Sequence, residues 1–160
     1  MPDYEKEFRQ HIQKVFSVFG KKLEYGKDYE IFDLGVKHKP KTLPKGKMAV
    51  YTFSYKGKFL KIGKVGQNSN ARFFNTHYVP DKSPSSLSDQ LLNDPKMRQP
   101  HQLNKVNIGD WIKEKCRRID ILMDAKLDPF TLGLVEAILH YRYKPKYEGK
   151  HPSGKHPSDE

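Results

Sequence analysis

The chain has 160 residues, enough for one domain with extensions and for a real apolar core. Thirty Lys and Arg stand against 19 Asp and Glu, a formal net charge of +11, which points to a polyanionic partner. The single cysteine excludes an internal disulfide and fits a reducing compartment, and no apolar run reaches the length of a membrane span.

The N-terminus, Met1-Pro2-Asp3-Tyr4, lacks the apolar stretch of a secretory signal, so the expected location is cytoplasmic, without a membrane partner. Residues 3–19 read as a helix. Phe8, Ile12, Val15, Phe16 and Phe19 recur at spacings of three and four, Asp3 is a candidate N-cap and Gly20 a stop. This helix is either packing material or a dimer contact; its spacing does not choose between them. Residues 20–47 form a basic connector punctuated by Gly and Pro, with a short strand expected at Tyr29–Leu34. Lys37, His38, Lys39, Lys41, Lys45 and Lys47 crowd its second half. Such a run tracks a phosphate backbone or forms a solvated loop.

Residues 48–62 predict a hairpin. Val50, Tyr51, Thr52, Phe53 and Tyr55 are strand formers, Lys56-Gly57-Lys58 is a turn, and Phe59, Leu60 and Ile62 return. Gly63 and Gly66 loosen the backbone, and Asn68-Ser69-Asn70 offer caps for a helix over about 69–78 that carries Arg72. Phe73, Phe74 and Tyr78 would dock that helix on the sheet. A polar, Pro-rich insertion follows to about residue 107, with a helical piece around Ser88–Leu92. Asp110-Trp111-Ile112 leads into a strand from Cys116 to Met123. There Ile119, Ile121 and Met123 alternate with Arg118, Asp120 and Leu122, which predicts one buried face and a third strand. Cys116, among Lys113, Lys115, Arg117 and Arg118 and with no His nearby, reads as a structural thiol. Asp128 as N-cap and Pro129 at the first helical position open a helix through Leu132, Val135, Leu139 and Tyr143. It ends before Pro145. Residues 147–160 read as a flexible basic tail, with His151 and His156 as solvated or adventitious metal-binding residues.

Tyr51, the Lys61-Ile62-Gly63 triplet and Arg72, in this order and spacing, resemble the motifs of the GIY-YIG nucleases. Ala49-Val50-Tyr51 stands for the first motif and Lys61-Ile62-Gly63 for the second. Lys61 in place of the second tyrosine resembles the restriction-endonuclease subset of the family. Glu136, set in the apolar run Leu132-Gly133-Leu134-Val135, matches the family's late helix-borne glutamate. The family's terminal asparagine has no counterpart: Pro145 is followed by Lys146-Tyr147-Glu148-Gly149, where Lys146 or Glu148 would fill the space. The resemblance spans about residues 47–145.

Elements and resemblance together give an α+β fold. A small three-stranded, mainly antiparallel sheet is flanked by helices, with an N-terminal helix and an insertion. Residues 1–46 hold the helix and basic connector, 47–146 the nuclease-like domain with its insertion at about 80–107, and 147–160 the tail. The resemblance implies a metal-dependent endonuclease that hydrolyses phosphodiester bonds in duplex DNA, of restriction, mobile-element, phage or repair type. The implied catalytic residues are Tyr51, Lys61, Arg72 and Glu136. Tyr51 would orient or deprotonate the attacking water, Lys61 lowering its pKa. Arg72 would grip the scissile phosphate, and Glu136 would hold one Mg²⁺ (or Mn²⁺). Lys64 and His77 are further candidates, His77 as an alternative base or an ordinary helix-end histidine. His140, one turn after Glu136, would support the metal or the packing. A homodimer would match a palindromic target. Three readings remain at this level: a nuclease, a non-catalytic nucleic-acid-binding module that keeps the fold, and a charged interaction protein. In the last, Glu136 is a surface residue on a polar helix face and the four side chains need not converge.

Overall fold

The structure is a computed structural model, and it describes residues 1–147. The proposed tail residues beyond Tyr147, including Glu148, His151 and His156, lie outside the described residues.

Helix α1 (Tyr4–Val18) begins at Asp3, whose carboxylate accepts from the Lys6 amide at 3.1 Å. It buries Phe8, Ile12 and Phe16 of the expected stripe, together with Tyr4, whereas Phe19, the C-cap residue, is exposed. Strand β1 (Tyr29–Gly35) follows, then β2 (Lys47–Tyr55) and β3 (Lys58–Val65) as a hairpin. Their link is a two-residue turn in which Lys56 and Gly57 both have positive φ, 48° and 79°. That geometry matches the twist of the flanking strands.

Helix α2 (Asn70–Phe74) is short. The chain breaks at Asn75 and continues as a 3-10 turn, Thr76–Tyr78, so the single helix expected over 69–78 is two pieces. Three helices follow: α3 (Leu87–Leu92), α4 (Pro95–His101) and α5 (Ile108–Lys115). Trp111, expected to lead into a strand, lies inside α5. Strand β4 (Arg117–Asp124) then enters the sheet, and α6 (Pro129–Tyr143) closes the described fold. Asp128 caps α6 by accepting from the Thr131 amide at 2.7 Å.

The fold is α+β, as the sequence predicts, but the sheet has four strands rather than three, in the order β1-β4-β2-β3, with every pair antiparallel. The fourth is β1, which joins the edge of β4. Tyr29 and Ile31 point inward while Glu30, Phe32 and Asp33 face solvent, the alternation of a half-covered edge strand. A second correction concerns β4. Arg118 and Asp120 are as buried as Ile119 and Ile121, so both faces of this strand are covered.

Two apolar layers sandwich the sheet. On one face α1 and α6 pack Phe8, Ile12, Phe16, Val135 and Leu139 against Val50, Ile62, Ile119 and Ile121. On the other, α2, the 3-10 turn, α3 and α5 pack Phe73, Tyr78, Leu87, Leu91, Ile108 and Ile112 against Ala49, Tyr51 and Phe53. The outer edge of β3 is also occupied: the amides of Lys146 and Tyr147 donate to the carbonyls of Phe59 and Leu60 at 3.0 and 2.8 Å. The first half of this sheet edge is thereby covered. Among the described residues no helix is long and apolar enough to cross a membrane.

Candidate functional site at the β3 edge

Tyr51 sits mid-strand in β2, paired with Gly63 of β3 on one side and Asp120 of β4 on the other. Its ring is fully buried and lies across Gly63: a Cβ built there would stand 2.6 Å from the Tyr51 Cζ. The glycine of Lys61-Ile62-Gly63 is therefore what lets the phenol cross β3 toward the sheet edge. Lys61 lies on the same face, paired with Phe53. Its Nζ donates to the Ser85 carbonyl at 2.8 Å and to Gln90 Oε1 at 3.0 Å. Burial, helped by the nearby Arg72 charge, lowers its pKa to about 8. Arg72, on α2, donates through Nη2 to Ser85 Oγ at 3.2 Å. Ser85 thus ties the strand lysine and the helix arginine to one point of the insertion.

His77, in the 3-10 turn, has a defined tautomer. The Leu87 amide donates to its Nδ1 at 3.1 Å, so Nε2 carries the proton and donates to Tyr51 Oη at 2.6 Å. The Tyr51 oxygen is an acceptor in this pair, and its own hydrogen is left to point elsewhere. Burial and the Arg72, Lys61 and Arg118 charges hold the His77 pKa well below its ordinary value, which keeps the ring neutral at pH 7. Burial raises the Tyr51 pKa, and the cations that oppose the rise are Arg72 and Arg118. Arg72 thus takes the place beside the phenol that the sequence reading gave to Lys61, whose donors are turned to the insertion.

Glu136 reaches the same edge from the opposite layer. It pairs with Lys64 Nζ at 3.3 Å, the two side chains being 22% and 48% exposed. Its charge is felt at both Tyr51 and Lys61. His140, one turn later, uses Nε2 to donate to the Ile62 carbonyl at 2.8 Å, pinning α6 to β3. Glu136 and His140 are therefore not arranged as a chelating pair through that nitrogen. Among the described residues, no group of three or more His, Cys, Asp or Glu is placed to hold a metal. A lone, largely buried carboxylate does not fit a zinc centre. It does fit Mg²⁺, which accepts one carboxylate and keeps most of its waters.

Behind the site runs a buried network that strand alternation concealed. Arg118, fully buried, donates to Asp120 Oδ1 at 2.8 Å, to Tyr78 Oη at 2.7 Å and to the Phe73 carbonyl at 2.8 Å. The last bond holds the C-terminal end of α2, the helix that carries Arg72. Tyr78 in turn donates to His38 Nε2 at 2.8 Å, since His38 Nδ1 must donate to the Cys116 carbonyl at 3.0 Å. Burial pushes the Cys116 thiol up to about 12, which removes it as a nucleophile at neutral pH.

The structure brings Tyr51, Lys61, Arg72 and His77 together on one face of β3, with Glu136 and Lys64 meeting them around its edge. Sequence reasoning missed Arg118, Asp120 and Tyr78, and the Ser85–Gln90 anchor. No local signal marks them, because each acts through a partner distant in the chain. A separate cavity of about 810 Å³, bordered by Tyr4, Tyr55, Phe59 and Arg142, is lined by none of the four sequence-selected catalytic residues. Compared with known proteins, the chain matches no family model, no curated protein and no solved structure.

Proposed function

We propose that the protein is a metal-dependent endonuclease that hydrolyses phosphodiester bonds in DNA, with its active site at the β3 edge. The observation that carries this reading is that an arginine of α2 and a carboxylate of α6 both act on the phenol of Tyr51, which β2 lays across Gly63. Such convergence is not required of a protein whose charge serves only solubility.

Each side chain has a task that its chemistry suits. Arg72 offers a planar array of donors, of which one bond goes to Ser85, leaving others to grip a phosphate by two oxygens. Tyr51 accepts from His77, which leaves its own hydroxyl hydrogen to donate to the attacking water and orient it. Its raised pKa makes positioning, rather than proton abstraction at rest, its role before substrate arrives. Lys61, held near pKa 8, adds positive charge close to the reacting phosphate and fixes the insertion against the site. Glu136 is the residue that would hold Mg²⁺, exchanging its Lys64 contact for the cation. The bound metal supplies charge stabilisation for the developing oxyanion. A palindromic target would call for two copies of the chain.

A plasmid-nicking assay with Mg²⁺, repeated with EDTA and with the Arg72→Ala and Glu136→Gln variants, tests the reading. Cleavage that EDTA and both substitutions abolish is the expected result. Cleavage that survives both substitutions would sink it. One observation favours a second reading, a non-catalytic nucleic-acid-binding module: burial keeps the Tyr51 phenol protonated. Salt-sensitive DNA binding without cleavage by the intact protein on a sequence-diverse plasmid pool would select that module.

A further inference from the structure

Residues 36–46, between β1 and β2, contain Lys37, Lys39, Lys41 and Lys45 and no acidic residue. All four lysines are exposed, and none takes part in an ion pair among the described residues. A loop whose lysines serve only hydration needs no fixed path. This one is fixed at both halves. The amides of Lys37 and His38 donate to the carbonyls of Glu114 and Lys113 at 3.3 and 3.0 Å, at the end of α5. The His38 ring, 4% exposed, plugs between Cys116 and Tyr78. Further on, the Leu43 amide donates to Asn70 Oδ1 at 2.8 Å, and Asn70 is the first residue of the helix that carries Arg72. Pro40 and Pro44 restrict the backbone between and beyond these anchors.

The loop is also adjacent to the site in charge. Lys41 acts on Asp120, the cross-strand neighbour of Tyr51. Cations without an ion pair among the described residues therefore flank, in the chain, the Leu43 anchor at the start of α2, along a stapled segment. Preorganisation of this kind lowers the ordering cost of binding, and the ligand that matches a spaced row of point charges is a phosphate backbone.

We propose that loop 36–46 is a prebuilt clamp for the backbone of duplex DNA flanking the scissile phosphate, with Lys39, Lys41 and Lys45 making the contacts. The proposal rests on the nuclease-site reading for its placement, and it is tested separately from cleavage. The clamp is sequence-independent: it sets affinity and register, while base readout lies elsewhere.

The test is fluorescence anisotropy with a fluorescein-labelled DNA duplex of about 25 base pairs, comparing wild type with a Lys39→Gln/Lys41→Gln/Lys45→Gln chain. Three lost phosphate contacts reduce the slope of log affinity against log salt by about 2 to 3 between about 50 and 200 mM salt. The matching triple Lys→Arg chain keeps the slope, and both chains melt at the wild-type temperature. In cleavage, the Gln chain raises KM and leaves kcat at saturating DNA unchanged. An unaltered slope and affinity in the Gln chain would overturn the clamp, as would a wild type that does not bind the duplex at low salt. Binding with the expected slope change, but with no Mg²⁺-dependent cleavage, leaves the clamp standing and removes the nuclease.

Discussion

The two faces of the sheet are built from different chemistry. The face under α1 and α6 is packed mainly with Phe, Ile, Leu and Val; besides tyrosines it holds the partly buried His11, whose Nε2 has no hydrogen-bond partner among the described residues. The face under α2, α3 and α5 buries Lys61, His77, His38, Arg118 and Asp120, each with hydrogen-bond partners. Burial of a charged group is costly unless it is paired, so a core is not assembled this way for stability alone. The polar face is also the one that presents Tyr51, Lys61 and Arg72. The apolar layer secures the fold, and the polar layer fixes the angles and protonation states of side chains at the β3 edge.

Several experiments would break or sharpen that contrast. Arg118→Ala carries the largest expected effect, because it leaves Asp120 buried without its partner and frees the end of α2. The loss should be about 3–5 kcal/mol in urea denaturation. Ile119→Val, on the neighbouring residue but the apolar face, should cost only about 0.5–1.5 kcal/mol. Equal losses at the two positions would erase the distinction.

Acid should attack the polar face first. His38 is lowered from its ordinary 6.5 to about 4, chiefly by burial, and His77 is held well below its ordinary value, again chiefly by burial. A depressed histidine pKa means that folding favours the neutral ring. Its contribution is complete above pH 6.5 and falls as pH drops through about 4. For His38 alone the loss is of order 3 kcal/mol at about 1.4 kcal/mol per pH unit. Denaturation midpoints followed from pH 7 to pH 4 should show it, and His38→Gln should remove its share of the slope. A flat profile across that range would show that neither ring is held neutral.

Gly63→Ala tests the passage of Tyr51 over β3. The new methyl would stand 2.6 Å from Tyr51 Cζ, in a ring that has no free space to retreat into. Overpacking of this kind costs about 1–3 kcal/mol, and cleavage should fall with it as the phenol is displaced. Wild-type activity in this variant would remove Tyr51 from the site. The smallest effect is expected for Lys64→Ala. Its exposed pair with Glu136 contributes about 0–1 kcal/mol, so thermal stability should barely move. The Mg²⁺ concentration needed for half-maximal cleavage should drop, since Glu136 loses its competitor.

Much of this was legible from residues alone. The stripe of Phe8, Ile12 and Phe16 predicts α1, the Asp128-Pro129 start predicts α6, and Lys56-Gly57 predicts the hairpin turn. These signals are local: caps, periodicity and turn chemistry act within a few residues. Their limit shows in β4, where alternation marks Arg118 and Asp120 as a solvent face. A second layer built by residues 70–115 covers that face and turns two expected surface charges into a buried pair. The extra strand β1 was visible as a strand but not as a member of this sheet, because its pairing with β4 joins residues far apart in the chain.

The sequence by itself supplied the four side chains that the proposed phosphate chemistry draws on, Tyr51, Lys61, Arg72 and Glu136, each at a spacing set by its own strand or helix. Only the tertiary structure decided what surrounds them. It placed His77 on the Tyr51 oxygen, turned Lys61 to Ser85 and Gln90, and set Lys64 on Glu136. The reason is physical. A residue type and its local conformation follow from neighbours in the chain, whereas hydrogen-bond direction and burial, and with them protonation, follow from neighbours in space.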